Sequence, residues 1–374
     1  MGKQTVEFLY LSEQDMINAG VLRAKRCVEV MDEVFHLLGQ GDYLMGGPEA
    51  ESHGHMIQYP IKSKFSQMPI AGPDRRYMAM PAYLGGRFHI TGLKWYGSNR
   101  ANIDKGLPRS ILMVCLNDAE TGAPIAIMSA NLLSAMRTGS VPGVATKYLA
   151  NSSAENLAVI GCGVINRACT RAILENMPNA KKMYLYDVVP EQCSKFEAEL
   201  KAEYKVDIAI VDSLNKAVET GDIITVAVSG EKGVTIDPAW LKPGCLLTSS
   251  GAIGLPDQAF IDNTVALDHW PMHKLWLEEA LLHKDGLDAG FAWGATSASL
   301  LKMVHKGKID PGKFLSLGNV VVGGRTRKSQ DEIIIFISGG LPVEDLAWGM
   351  ECYEQARKLG LGQSNKVWDI PHWK

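Results

Sequence analysis

Two cations stand in segments where cations are rare. Lys94 lies in Gly92-Leu93-Lys94-Trp95-Tyr96, among apolar neighbours, and Arg137 is the only basic residue between Arg109 and Lys147. A lysine among apolar residues is costly unless it is paired or used chemically. Desolvation would lower its pKa far enough for it to relay a proton. The planar fork of an isolated guanidinium suits a carboxylate or a phosphate. Each residue also has a structural alternative: a lysine that snorkels to the surface, and an arginine held in an ion pair. His53 and His55, in the Gly-, Pro- and His-rich segment 41–75, are candidates for a substrate-lining loop or for proton carriers. They have no third ligand near them, and no Cys/His spacing suits zinc, so no metal is expected.

A second group of residues has the chemistry of a dinucleotide site. The apolar run Leu157–Ile160 breaks into Gly161-Cys162-Gly163, followed by Val164-Ile165-Asn166 and a helical pattern from Ala168 to about Met177. Gly161 permits the tight turn, and Gly163 lets the backbone approach a pyrophosphate at a helix N-terminus. The next strand, from Lys182, ends on Asp187, 26 residues beyond Gly161, where a carboxylate takes both ribose hydroxyls. That acid would repel a 2′-phosphate and Val188-Val189-Pro190 holds no arginine to neutralise one, so NAD is expected rather than NADP. Asn166 departs from the third fingerprint position, where Gly or Ala is usual.

These residues need elements to position them. Around Lys94, runs at 76–81, 88–96, 110–117 and 124–129 predict an antiparallel sheet, with Asp118–Gly122 as a hairpin turn. Arg137 lies in Asn131–Gly139, which runs into Val141–Ala150 as a helix. Ser12 marks a helix start, and apolar spacing from Val21 to Leu38 predicts an amphipathic helix. After the fingerprint, strands at 207–211, 222–229, 245–250 and 265–268 alternate with helical segments. This rhythm predicts an α/β fold, a Rossmann-type doubly wound parallel sheet, with a second α+β domain. Ser229 and Ser249, at strand C-termini, are placed with the cofactor. A helix at 272–283 leads into a loop-rich stretch, then a strand at 332–338 and a helix at 343–359 with Pro342 just inside it.

With 374 residues, 46% of them hydrophobic, the chain has material for two cores. A net charge of −3 gives no general attraction to nucleic acid or an anionic membrane. No run approaches the roughly 18–20 apolar residues of a membrane span, and the first ten residues lack a signal-peptide layout. Seven cysteines scattered through apolar segments suggest reduced thiols and a cytoplasmic protein.

Several stretches together resemble the ornithine cyclodeaminase/mu-crystallin family. They are Met80–Gly86, Gly92–Trp95, Asn117–Gly122, Met136–Gly139, Val159–Gly163, Asp331–Ile333 and Gly340–Asp345, in family order along nearly the whole chain. The resemblance implies a central Rossmann domain, here 139–324, and a substrate-binding and dimerisation domain from 1–138 and 325–374, with the protein a homodimer. It implies that Lys94 and Arg137 hold and polarise an amino-acid or imine substrate, with His53 and Gly340 beside them, and that Thr138, Val164 and Ile165 join Gly161, Gly163 and Asp187 around NAD. The wording around Gly161 and Lys94 is most similar to the branch whose enzymes oxidise N-(2-amino-2-carboxyethyl)-glutamate. Two departures separate the chain from cyclodeaminases. Ile253 stands where they carry an aspartate, and Gly46-Gly47-Pro48 replaces a basic residue of the N-terminal loop.

The sequence therefore points to an NAD-dependent dehydrogenase acting on the C–N bond of an amino acid or N-substituted amino acid. The alternatives are a cyclodeaminase, which returns its borrowed hydride, and a non-catalytic binder of the mu-crystallin kind. Loss of Lys94 or Arg137 is expected to cost activity and to leave thermal stability nearly unchanged.

Overall fold

The computed structural model describes residues 5–228 and 233–373. The chain divides into two compact units, one of residues 1–23, 41–137 and 341–374, the other of 24–40 and 138–340. No helix among the described residues is long and apolar enough to cross a membrane.

The first unit is built on a mixed eight-stranded sheet. Its strands are β1 (Val6–Leu11), β2 (Tyr43–Met45), β3 (His55–Gln58), β4 (Arg76–Leu84), β5 (Ile90–Ser98), β6 (Ser110–Asp118), β7 (Pro124–Ser129) and the C-terminal β18 (Gln363–Trp368). They run in the order β18-β1-β7-β6-β5-β4-β2, with β3 on β4, and all pairs except β1–β7 are antiparallel. Alternation decides the faces. Met78, Met80, Val114, Leu116, Ala126 and Met128 are buried on the inner face, which the helix Pro342–Leu359 covers. Gly349 on that helix lies against Met128 and Val114, and a Cβ at Gly92 would meet Leu346. Lys94 belongs to this buried row, paired across the sheet with Met80 and Val114. The helix Glu13–Asn18 starts at Ser12 with a complete capping box: the Ser12 hydroxyl accepts from the Asp15 N–H, and the Asp15 carboxylate accepts from the Ser12 N–H.

The second unit holds eight parallel strands: β8 (Asn156–Ile160), β9 (Lys182–Tyr186), β10 (Asp207–Ile210), β11 (Ile223–Val226), β13 (Leu246–Ser249), β15 (Thr264–Leu267), β16 (Leu315–Ser316) and β17 (Ile334–Ile337). A short pair, β12 (Val234–Thr235) and β14 (Ile253–Gly254), stands apart. The main order is β10-β9-β8-β11-β13-β17-β15-β16. Going outward from β8, the chain turns to β9 and β10 on one side and to β11 and β13 on the other, the reversal at which doubly wound sheets bind dinucleotides. Strands β8, β11, β13 and β17 are buried nearly throughout, as parallel strands covered on both faces are. The helix Val164–Leu174 is approached closely by Asn131–Leu149. A Cβ on Gly139 would fall 2.5 Å from that of Ala168, and one on Gly143 2.9 Å from that of Ala172.

Three expectations need correction. Residues 325–340 were placed in the first domain, yet β17 lies in the parallel sheet between β13 and β15. The helix Ala24–Gln40 also belongs to the second unit, where Gly39 packs on the Gly318 backbone too closely for any Cβ. The stretch read as loop-rich contains the helices Leu287–Gly290, Ala298–His305 and Leu317–Val321, each too short to show a period in sequence.

Candidate active site

The two cations singled out by the sequence come together inside the first unit. Lys94 is 2% exposed and Arg137 5%. Between them sits Asp345, fully buried in the first turn of the helix Pro342–Leu359. Lys94 Nζ donates to its Oδ2 at 2.7 Å and Arg137 Nε to its Oδ1 at 3.0 Å. Arg137 Nη1 donates to Glu344 Oε2 at 2.7 Å, and the Ser134 hydroxyl lies 3.4 Å from Nζ and 3.5 Å from Nη2. Two positive and two negative groups thus balance in a space that tolerates no unpaired charge. Of the two alternatives open for Arg137, the structure displays the ion pair. The snorkelling alternative for Lys94 fails, because the side chain points inward.

Burial pushes the Lys94 ammonium down to about 8, helped by the nearby Arg137 charge and opposed by Asp345 and Glu344. Arg137 is held above its ordinary value: burial works against the charge, but Asp345 and Glu344 outweigh it. Between about pH 8 and 10.5 the unfolded chain holds a proton that native Lys94 has released. Lys94 by itself therefore makes the fold more stable as pH rises through that window.

The cofactor residues gather in the second unit around β8. Gly161 has φ +88°, and a Cβ there would collide with Val228 and Ala227, so only glycine fits. Gly163 faces open space and begins the helix Val164–Leu174 with no side-chain cap, which leaves its first-turn N–H groups to an anion. Val164 on that turn is two-thirds exposed and Ile165 follows it. Asp187, just past β9, accepts from the Cys162 N–H at 2.7 Å through Oδ2 and from the Val189 N–H at 2.9 Å through Oδ1. Each carboxylate oxygen keeps a lone pair for a ribose hydroxyl. These features fit NAD.

Asn166 is where the fingerprint looked weakest. Its amide donates to the carbonyls of Ile160 (2.9 Å), Gly161 (2.7 Å) and Thr225 (3.3 Å), and its Oδ1 accepts from the Thr225 hydroxyl at 2.7 Å. The side chain ties the turn to β8 and β11 from beneath. Close helix packing, the usual task of a glycine at that position, is met by Gly139 and Gly143 instead.

The remaining candidates are more dispersed. Thr138 is the first residue of the second unit, in the helix that carries Arg137. Ser249 is fully buried and its hydroxyl donates to the Gly251 carbonyl at 2.8 Å. Gly340, in the second unit, gives its N–H to Asp268 at 2.9 Å. His53 lies in the first unit just before β3. Ser229 falls outside the described residues. Ile253 is buried in β14. Sequence reasoning missed Asp345 and Glu344 as partners of the cations. A usable signal was there, since two adjacent acids interrupt the apolar row Leu341-Pro342-Val343 and Leu346-Ala347-Trp348.

With both groups of residues described, the class is clear: an NAD-dependent oxidoreductase acting on carbon–nitrogen bonds. The sequence profile of the ornithine cyclodeaminase/mu-crystallin family matches residues 22–360, and the chain belongs to that family. It is 28% identical over 361 residues to N-((2S)-2-amino-2-carboxyethyl)-L-glutamate dehydrogenase of Staphylococcus aureus, covering 95% of this chain and 97% of that relative. It is 31% identical over 296 residues to an alanine dehydrogenase of Archaeoglobus fulgidus, 78% of this chain and 84% of that one. Among solved structures it is similar to the Thermococcus litoralis Delta(1)-pyrroline-2-carboxylate reductase in complex with NADH and L-proline. The TM-score there is 0.76 at 26% identity, over 95% of this chain and 99% of that one.

Proposed function

We propose that the enzyme oxidises an N-substituted amino acid at Cα, or reduces the corresponding imine, with Lys94 and Arg137 as the pair that holds the substrate. The observation that carries this reading is the shared buried carboxylate, Asp345, which fixes both cations side by side. The pair is not saturated. Among the described residues, three of the five N–H donors of Arg137 and two of the three of Lys94 are committed. NAD, when bound, accepts or supplies the hydride. Arg137 holds the α-carboxylate. Lys94, which discharges at about pH 8, takes the proton from the substrate nitrogen or from the water that opens the imine. Ile253 has no atom that accepts a proton, so nothing at that position drives a second amine into ring closure. The Staphylococcus aureus relative acts, by its name, on N-((2S)-2-amino-2-carboxyethyl)-L-glutamate, and that is the first substrate to try.

The test is redox stoichiometry. One NADH is expected per molecule of amine and keto acid released, followed by absorbance and amino-acid analysis. Ammonia from L-ornithine at trace NAD, with no net absorbance change, would move the enzyme to the cyclodeaminases.

A homodimer is part of the same proposal. The outer face of the first unit's sheet exposes the large apolar side chains Tyr10, Ile57, Tyr77, Trp95 and Ile111, which a second copy would cover. Light scattering should give a dimer mass, and Ile111→Glu should shift it toward monomer. A monomeric wild type ends that idea. Cytoplasmic residence, supported by seven free cysteines, is checked by cell fractionation.

A further inference from the structure

A second buried polar network lies in the parallel-sheet unit, and the chemistry above does not use it. Asp268, fully buried just past β15, accepts four hydrogen bonds. Its Oδ1 takes the His269 N–H at 2.8 Å and His273 Nε2 at 2.7 Å, and its Oδ2 takes the N–H groups of Gly339 at 2.6 Å and Gly340 at 2.9 Å. Burial pushes the Asp268 carboxyl up, but His273 and the two glycine N–H groups outweigh it and hold it below its ordinary value. On the other side of the ring, His273 Nδ1 meets the Ser297 hydroxyl at 2.7 Å. The ring thus bridges the carboxylate at Nε2 and the hydroxyl at Nδ1. The connectivity is that of a hydrolytic triad. Ser297 is only 1% exposed and His273 not at all, with Trp276 edge-on against the ring, so no ester reaches the hydroxyl. The network holds something in place.

What it holds is the Gly339-Gly340 turn at the C-terminal end of β17. Gly339 admits no side chain, since a Cβ would fall 2.4 Å from the Trp276 ring, and Gly340 has φ +82°. In a trans peptide the N–H and the preceding C=O point opposite ways. Drawing the Gly340 N–H down to Asp268 therefore turns the Gly339 carbonyl to the far side. The neighbouring Ser338 carbonyl is already taken by the Thr296 hydroxyl at 2.9 Å.

The sheet order says which part of NAD lies near this turn. Asp187, past β9, marks the adenosine side, and Gly161–Gly163, past β8, marks the pyrophosphate. Bound in the usual way of doubly wound sheets, the nicotinamide would extend over the strand ends on the other side, those of β11, β13, β17 and β15. Its carboxamide carries N–H donors that suit a carbonyl turned outward.

We propose that Asp268, braced by His273 and Ser297, is a positioning residue for the nicotinamide half of NAD, acting through the Gly339-Gly340 turn. The proposal rests on the NAD-dependent reading and assigns Asp268 no contact with the reacting atoms. Its test compares two ligands by titration calorimetry on the purified full chain: NAD, and ADP-ribose, which is the same molecule without nicotinamide. Asp268→Asn removes the charge from four hydrogen bonds. It is expected to weaken NAD about tenfold or more, on the scale of one charge-assisted hydrogen bond, and to leave ADP-ribose within about twofold. Ser297→Ala keeps every Asp268 contact and frees only the far end of the imidazole, so it decides the matter should Asp268→Asn fail to fold. It is expected to weaken NAD by about threefold, a fraction of one neutral hydrogen bond, and ADP-ribose not at all. Equal losses for both ligands would reduce the network to a general prop and overturn the proposal, as would unchanged NAD binding. Wild-type protein that bound neither ligand would remove the NAD reading itself.

Discussion

Arg137→Ala is expected to lose at least about a hundredfold in kcat/KM, ~2.7 kcal/mol of transition-state stabilisation, and also to lower the thermal midpoint. The second effect corrects what the sequence alone led one to expect. Arg137 neutralises two acids that are 0% exposed. Removing one partner of a buried ion pair typically costs about 3–5 kcal/mol, because the other charge is left without compensation. Lys94→Met is the cleaner chemical test. It has similar volume, and Asp345 keeps Arg137 on its other oxygen, so its loss of stability should be the smaller of the two. Its loss of activity should not be smaller. A Lys94→Met enzyme with near-normal turnover would show that the proposed pair does not hold the substrate. In the wild type, a rise in activity toward a limb near pH 8 is expected as Lys94 discharges, and Lys94→Met should abolish that limb.

Asp187→Ala should collapse the preference for NAD over NADP by about a hundredfold or more, the scale of losing two hydrogen bonds from a carboxylate at roughly 1.5 kcal/mol or more each. NADP should gain in addition, since the charge opposing its 2′-phosphate is gone. Part of the loss has a second origin. Asp187 also binds the Cys162 N–H, inside the glycine turn itself, so that turn loses a brace. Comparing Asp187→Ala with Asp187→Asn separates the two, because asparagine keeps an oxygen for the backbone and drops the charge. Ratios of kcat/KM for the two cofactors provide the measurement, and an unchanged ratio in both variants would remove Asp187 from cofactor selection.

Local signals carried well from sequence to structure. Ser12 and Asp15 sit three apart and form their capping box, and the alternating runs around Lys94 became β4 to β7 at nearly the expected bounds. The helix after Gly163 begins four residues before its apolar pattern, at Val164, because its first turn exposes the apolar Val164 and buries the polar Asn166, which hides the helical period. Long-range placement was less legible. β17 enters the parallel sheet between two strands that precede it in the chain, and no local pattern encodes that insertion. The strand Gln363–Trp368 was missed for another reason. It is an exposed edge strand of mostly polar residues on β1, with no buried face to impose alternation. At the site, Lys94 and Arg137 were visible as isolated charges in apolar company. Asp345 and Glu344 met the same criterion, and matching the isolated acids to the isolated bases would have found the cluster.

The seven cysteines give this enzyme a built-in set of clocks. Cys115 is partly accessible, while Cys27, Cys162, Cys169, Cys193, Cys245 and Cys352 are buried. A thiol reagent added to the native protein reacts with a buried site only when that region opens, so each labelling rate reports a local opening free energy. Cys115 and Cys352 read the first unit, and the other five read the second. Cys162 and Cys193 bring their sulfurs within 3.6 Å of each other beside the glycine turn. Their labelling should slow selectively when NAD is added, and mass spectrometry of timed samples would register cofactor binding without any turnover.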